Sequence, residues 1–351
     1  MRSLATAMVS ILFWAGTPLS GRVEANEVDA FYRGKQIALV IGYSAGGGYD
    51  QYARLFARHF GSQLPGAPTI VPQNMPGAGS RKAANWLFRN APRDGTALSV
   101  LGQNTALDQA LGEFSVQFDA KQFLWLGNIV EDNNVLTVWH TAGVKSIDEA
   151  KKKELSIGAT GASSPSVMYP HVSNALLGAK FKIIVGYPGG GDINLAMERG
   201  EVDGRGSTSW SSWLATRPDW VGEGKIIPLF QVGDRRSAAL PDVPLWHELA
   251  GDDADRALLE ALSASIAIGY SIIGPPGVPA SRARALREAF DRTMREPAFL
   301  SDAKKQKMEV NPRSGSEVDE VVKRTVTLPG DLIERIKKVT DTKSAEFPTR
   351  R

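Results

Sequence analysis

Three glycine-rich loops carry the groups best suited to chemistry in this sequence. They are S-A-G-G-G-Y at 44–49, N-M-P-G-A-G-S at 74–80 and G-Y-P-G-G-G-D at 186–192. Glycine lets backbone N–H groups approach a bound anion closely, and a helix that begins just after such a loop adds the positive end of its dipole. The pattern predicts an anion site formed largely by backbone amides, and a carboxylate fits such a site without an arginine.

Polar side chains in and near these loops complete the candidate set. Tyr43 and Tyr187 could each pack over a ligand or fill the space between two lobes. Arg205, in V-D-G-R-G-S at 202–207, could pair with a second carboxylate or lie at the surface. The candidate ligand-binding residues are Tyr43, Ser44, Gly46, Gly47, Gly77, Ala78, Gly79, Ser80, Gln103, Asn104, Gly161, Ser163, Tyr187, Gly189, Gly190, Arg205 and Ser207.

Two aspartates have a different predicted role. Asp50 and Asp192 each follow a glycine loop at the position where the N-cap of the next helix is expected. Contact with a carboxylate ligand is disfavoured for them because two carboxylates repel each other. We therefore predict that both aspartates cap helices beside the site and hold its loops.

Common enzyme motifs are absent from the sequence. It has no G-x-x-x-x-G-K-[ST] loop, no G-x-S-x-G, no H-E-x-x-H and no calcium-loop pattern, and its four histidines are widely separated. A hydrolase using Ser80 or Ser163 stays an alternative, although no base lies nearby in the sequence. The sequence therefore favours a binding protein without catalytic residues, metal or cofactor.

Composition limits the partners and the compartment. The net charge is only +3, and the short lysine runs are not interleaved with aromatic residues, so nucleic-acid binding has little support. The absence of cysteine excludes disulfides and thiolate metal sites, and it argues against a lipid anchor.

Strands alternate with helices along most of the chain. Short apolar runs at 37–43, 69–73, 97–101, 155–159, 181–185 and 226–232 read as strands, and several lead through a polar or glycine loop into an amphipathic helix. This alternation predicts an α/β fold with parallel sheets. The strand at 226–232 could cross back to the first lobe.

The ends of the chain are predicted to lie outside the folded part. Residues 1–25 read as a cleavable export signal, so we expect a periplasmic protein that starts near Asn26, and residues 342–351 read as a disordered tail. The remaining length exceeds what one core usually holds. We expect one lobe from 26–122 plus 229–341, and a second lobe from 123–228.

Six ordered motifs resemble those of the Bug family, the extracytoplasmic receptors of tripartite tricarboxylate transporters. They are F-Y-x-G-K at 31–35, Y-S-A-G-G-G-Y-D-x-Y-A-R at 43–54, N-M-P-G-A-G-S at 74–80, A-P-R-D-G-T at 91–96, R-S-A-A-L-P-D-V-P at 236–244 and G-P-P-G-V-P at 274–279. The resemblance runs from about Phe31 to Arg324. It departs from the family pattern at 204–210, 230–233 and 244–246, in the distal half of the expected pocket.

The resemblance implies a two-lobe periplasmic-binding-protein fold of type II, with two mostly parallel sheets flanked by helices and joined by a hinge. It also implies a carboxylate held by loop backbone groups and ordered waters, with 43–50 and 77–80 on one wall and 160–164 and 187–192 on the other. Family ligands include di- and tricarboxylates, amino acids and aromatic acids. The implied partners are membrane transporter subunits, and we expect a monomer. A sensor accessory protein for a signalling system is the alternative.

Overall fold

The computed structural model describes residues 19–162 and 164–341 of the 351-residue chain. Most of the predicted export signal, Ser163 and the predicted disordered tail therefore lie outside the described residues. The first helix begins at Leu19, so it includes the predicted cleavage position after Ala25. Within the described ranges, no helix is long and apolar enough to cross a membrane.

Eleven strands and fourteen α-helices make up the described part of the chain. The strands are β1 Gln36–Ile41, β2 Thr69–Asn74, β3 Ala97–Val100, β4 Leu124–Asn128, β5 Asn134–Trp139, β6 Leu155–Gly158, β7 Phe181–Ile184, β8 Gly204–Ser209, β9 Ile226–Val232, β10 Ser271–Gly274 and β11 Arg313–Ser314. The helices are α1 Leu19–Tyr32, α2 Gly48–Gln63, α3 Arg81–Arg89, α4 Thr105–Ala110, α5 Ile147–Ala150, α6 Pro165–Leu177, α7 Gly190–Glu198, α8 Trp210–Thr216, α9 Pro218–Gly222, α10 Asp253–Ser263, α11 Ala280–Arg295, α12 Pro297–Lys305, α13 Gly315–Val326 and α14 Gly330–Thr340.

The strands form two mixed sheets. In the first sheet the order is β11-β4-β10-β3-β1-β2, with β2, β1 and β3 parallel and β10 antiparallel to both β3 and β4. In the second sheet the order is β7-β6-β8-β5-β9, with β7, β6 and β8 parallel and β5 antiparallel to β8 and β9. The predicted α/β fold with two lobes is confirmed, although each sheet is mixed rather than mostly parallel.

The first lobe illustrates how the sequence forms its layers. Strand β1 is buried along most of its length, and α2 packs beside it with Tyr52, Leu55, Phe56 and Phe60 in the core. The 3–4 spacing of these residues gives the helix one apolar face. Helix α11 packs against α2 and adds further apolar side chains to the same core.

Two predicted assignments of strands to lobes are wrong. Strand β9 does not cross back to the first lobe, because it pairs with β5 from Asn134↔Val232 to Trp139↔Ile226. Strand β4 belongs to the first sheet although the second lobe was expected to begin at residue 123. An apolar run predicts that a strand exists but not which strand it pairs with. Strand order therefore could not be predicted from hydrophobic periodicity.

The C-terminal helices return to the second lobe. Helix α13 packs on β4, whereas α14 packs on α6 and places Ile336 in the core of the second sheet. Helix α10 adds Leu258, Leu259 and Leu262 to that core. The expected range 229–341 for the first lobe is therefore wrong for α10 and α14. The chain crosses between lobes after β4, between α10 and β10, and after α13.

Candidate functional site

A cavity lies between the two lobes, at the ends of strands and the starts of helices. The first-lobe side is formed by Tyr43, Gly47, Gly48, Tyr49, Gln103 and Tyr270. The second-lobe side is formed by Asn134, Thr160, Ser164, Pro165, Ser166, Gly190, Ile193, Arg205, Ser207, Thr208, Ser209 and Ser212. The cavity encloses about 50 Å³. Because one water needs roughly 10–15 Å³ by this measure, the space suits a ligand of few heavy atoms.

Three long helices begin at this cavity. Helix α2 starts after the N-cap Gly47, α6 starts after the N-cap Ser164 and α7 starts after the N-cap Gly189. The first N–H groups of a helix have no partner inside it, and its dipole favours negative charge at that end. Three such helix starts around one small space produce a site suited to an anion.

Hydroxyl groups line the second-lobe side of the cavity. Ser166 accepts a hydrogen bond from the Thr160 amide at 3.0 Å, and the Ser164 and Ser166 hydroxyls are 2.6 Å apart. Ser209 caps α8 and its hydroxyl lies 2.8 Å from that of Tyr270. These groups can donate to or accept from a polar ligand without adding charge.

A stack of tyrosines forms the first-lobe side. The rings of Tyr43 and Tyr49 are stacked at 4.6 Å, and that of Tyr270 lies 4.7 Å from Tyr49. Burial raises the pKa of Tyr43 and Tyr49, and it raises the pKa of Tyr270 to about 12. The phenols are therefore neutral at physiological pH, so they do not repel an anion.

Arg205 is the one charged side chain among the described residues that line the cavity. It is 7% exposed, and its Nη1 donates to Asn194 Oδ1 at 3.0 Å. Its Nε is buried without a hydrogen-bond partner, and within the described ranges no carboxylate forms an ion pair with it. Burial lowers the pKa of this guanidinium to about 10, which leaves it charged at physiological pH. A buried cation without a counter-ion is costly unless a ligand supplies one.

The two lobes touch at the mouth of the cavity. Ser44 Oγ donates to Asp192 Oδ2 at 2.5 Å, and the Ser44 amide donates to the Pro188 carbonyl at 3.3 Å. Gly161 packs so closely on Ala78 and Gly79 of the other lobe that a methyl group there would overlap them. The structure therefore represents a closed arrangement of the lobes.

The predicted N-cap positions of the two aspartates are wrong, because the N-cap of each helix is a glycine three residues earlier, Gly47 for α2 and Gly189 for α7. Asp50 and Asp192 are instead the third residues of α2 and α7. Asp50 accepts hydrogen bonds from the Gly46 amide, Arg54 and Asn74 at 2.9–3.0 Å. Burial alone raises the pKa of Asp50, but these hydrogen bonds lower it overall. Neither aspartate lines the cavity.

The predicted ligand-binding residues lie in different parts of the structure. Those that line the cavity are Tyr43, Gly47, Gln103, Gly190, Arg205 and Ser207. Those beside it in the loops or at lobe contacts are Ser44, Gly46, Gly77, Ala78, Gly79, Ser80, Asn104, Gly161 and Gly189. Tyr187 is 3% exposed and lies in the core of the second lobe. Ser163 is outside the described residues. A ligand-binding role for each stays a prediction.

Several lining residues were missed by the sequence reasoning. Ser164-Pro165 and Ser209 carry a local signal, because serine is a common N-cap and proline is common at the first helical position. Tyr270 and Asn134 carry no local signal, since they reach the cavity only through sheet pairing. The described residues contain no group of three or more histidine, aspartate or glutamate side chains that could hold a metal ion.

A family model and one related protein each match most of the chain. The model of the tripartite tricarboxylate transporter family receptor matches residues 53–338. The UPF0065 protein in the gbd 5′ region of Cupriavidus necator is 25% identical over 312 residues, which cover 86% of this chain and 88% of that protein.

Solved structures of periplasmic binding proteins share the fold. BugD aligns with a TM-score of 0.68 at 19% identity, over 91% of this chain and all of the other. Rpa4515 of R. palustris with adipate has a TM-score of 0.68 at 19% identity, over 87% and 97% of the two chains. MatC from Rhodopseudomonas palustris with bound malate has a TM-score of 0.67 at 20% identity, over 88% and 99%.

Proposed function

The chain belongs to the tripartite tricarboxylate transporter receptor family, and we propose that it captures a small organic carboxylate between its lobes and delivers it to a membrane transporter. The resemblance to the Bug family predicted from the motifs is confirmed by the family match over residues 53–338. Two of the similar structures hold adipate and malate, which are both carboxylates. This supports a carboxylate as the ligand class here.

The observation that carries the proposal is the electrostatics of the cavity. Three helix starts and the buried Arg205 surround it, while no aspartate or glutamate is among its described lining residues. Charge-assisted hydrogen bonds contribute roughly 1.5–3 kcal/mol each. Three or four of them together contribute roughly 5–12 kcal/mol before the cost of ordering the ligand and closing the lobes is subtracted, so several must form at once for useful affinity.

Lobe closure links capture to delivery. A carboxylate that contacts both lobes favours the closed arrangement, because it binds that arrangement better than an open one. The closed form is then the form that the membrane subunits recognise. We further propose that the protein acts as an exported, periplasmic monomer, and a sensor role stays the alternative prediction.

A thermal-shift screen tests carboxylate capture. The protein is unfolded and refolded to remove any ligand acquired during expression, and it is then titrated with mono-, di- and tricarboxylates and with their neutral amides. A ligand at 100 times its Kd stabilises the folded state by about 2.7 kcal/mol, so at least one carboxylate should raise Tm by several degrees.

The amides are the control for non-specific stabilisation. They lack the charge that the helix starts and Arg205 attract, so they should leave Tm unchanged. A panel in which no carboxylate raises Tm, or in which the amides act equally, would contradict the proposal.

A further inference from the structure

Arg205 has more hydrogen-bonding capacity than its surroundings use. A guanidinium carries five N–H donors, and the described residues provide a partner for one of them, through Nη1 and Asn194. Arginine–carboxylate pairs are charge-assisted and frequently bidentate. Among the described residues no hydrogen-bond partner of Nη2 is found, while Nε is buried within the protein without a partner, so Nη2 is the donor left for a ligand.

The surroundings hold the guanidinium in place. Asn194 is fully buried behind it, and the fully buried ring of Trp213 lies 5.4 Å from the guanidinium carbon. On another side, Gly190 leaves room for the head group, because a methyl group there would overlap Nη2. A side chain that is 93% buried, fixed by two buried neighbours and still lining a cavity is arranged to receive a ligand.

A first carboxylate does not need this arginine. The starts of α2, α6 and α7 supply backbone N–H groups and favourable dipoles without any side-chain charge. The guanidinium is therefore available for a second anionic group. The small cavity volume of about 50 Å³ favours a ligand in which a short chain joins the two groups.

We propose that Arg205 forms a direct ion pair with a second carboxylate of the ligand, and that it selects short dicarboxylates over monocarboxylates of the same length. This inference rests on the proposed function. The inference adds two points to the proposed function, namely that the ligand carries two charges and that Arg205 binds the second one.

Isothermal titration of the full chain with succinate, succinamate and butyrate tests the inference. The three ligands have four carbons and differ at one end, which is a carboxylate, a neutral amide or a methyl group. We expect succinate to bind about 10–150-fold more tightly than the other two, which corresponds to one charge-assisted hydrogen bond. Malonate and glutarate measure the preferred length.

Variants assign the preference to one side chain. Arg205→Met should remove most of the preference for succinate over butyrate, while Arg205→Lys should keep part of that preference because lysine retains the charge but not the planar fork. Arg199→Met is the matched control, since Arg199 is exposed on the second lobe and pairs only loosely with Glu201 at 3.8 Å. Circular dichroism checks that each variant is folded.

The outcomes separate the two proposals. If butyrate and succinate bind the natural protein equally, or if Arg205→Met weakens both to the same extent, Arg205 does not read a second carboxylate and the inference is wrong. The proposed function survives that result. If no carboxylate of any charge binds, the proposed function fails as well. The comparison of ligands on the natural protein decides the question even where a variant does not fold.

Discussion

At the scale of single residues, the cavity depends on a contact between a cation and a glycine. Gly190 begins α7 and its α-carbon lies against the Arg205 head group, so any larger residue would displace the guanidinium. The same residue also presents a helix N-terminus to the cavity. Gly190 therefore contributes a helix N-terminus to the site and also leaves space for the Arg205 side chain.

Gly190→Ala should weaken ligand binding by at least about tenfold, because the added methyl group overlaps Nη2 and moves the cation away from its position. Titration calorimetry with the tightest carboxylate measures the effect. Gly222→Ala is the control, since a methyl group there meets no atom within 4 Å. Equal affinities for the two variants would show that the position of the guanidinium does not matter for binding.

At the scale of elements, the segment that joins β4 to β5 contains a partly buried carboxylate, Asp132. Asp132 Oδ2 accepts a hydrogen bond from the Ser211 amide at 2.6 Å, which links the crossing segment to the start of α8. Burial raises the pKa of Asp132 to about 6, although the Ser211 amide acts in the opposite direction. The charged form is therefore disfavoured in the folded protein.

Asp132→Asn should remove the free-energy cost of a charged carboxylate at this position, and it should change the pH dependence of stability. The folded pKa of about 6 lies above the value of 3.8 expected for an exposed aspartate, so the natural protein gains stability as pH falls from about 7 toward 4. The variant should lack that gain and should be the more stable protein at pH 8. Urea unfolding at pH 8 and pH 4.5 measures both. A variant less stable than the natural protein at pH 8 would contradict the assignment.

Local sequence patterns predicted individual strands, loops and helices better than they predicted how these elements are arranged. The strand, glycine loop and helix around 37–61 follow from a buried apolar run, a turn and an amphipathic face, and all three are present. The predicted helix starts were three residues too late, because a glycine and not the aspartate is the N-cap. Asp50 and Asp192 then use their carboxylates to hold loops, and Asp192 reaches the opposite lobe.

Other residues of the cavity could not be predicted from local sequence patterns. Tyr270 directly precedes β10 and Asn134 begins β5, and both reach the cavity because these strands pair with distant partners; the pairing of β9 with β5 was not foreseen. Arg205 was predicted as a candidate, but its burial and its missing partner depend on Asn194, Trp213 and Gly190. Whether an arginine lies inside or at the surface is decided by tertiary packing, which a single sequence does not reveal.

At the scale of the whole molecule, closure depends on close backbone contact between lobes. Gly161→Ala should hold the lobes apart, because a methyl group there overlaps Ala78 and Gly79 of the opposite lobe. Small-angle scattering should then detect a larger radius of gyration than for the natural protein at saturating ligand. Gly330→Ala, which meets no atom within 4 Å, is the control. Identical scattering for both variants would show that this contact does not limit closure.

The contacts that Ser44, Asp192 and Gly161 make between the lobes also bear on how a ligand can leave. We expect a ligand held between the closed lobes to leave when the lobes part, so its departure should be a first-order event set by the opening rate. An excess of unlabelled competitor should then prevent rebinding without hastening the loss of a radiolabelled ligand. The protein would thus retain its cargo during diffusion, and a membrane partner that pulls the lobes apart would determine when the cargo is released.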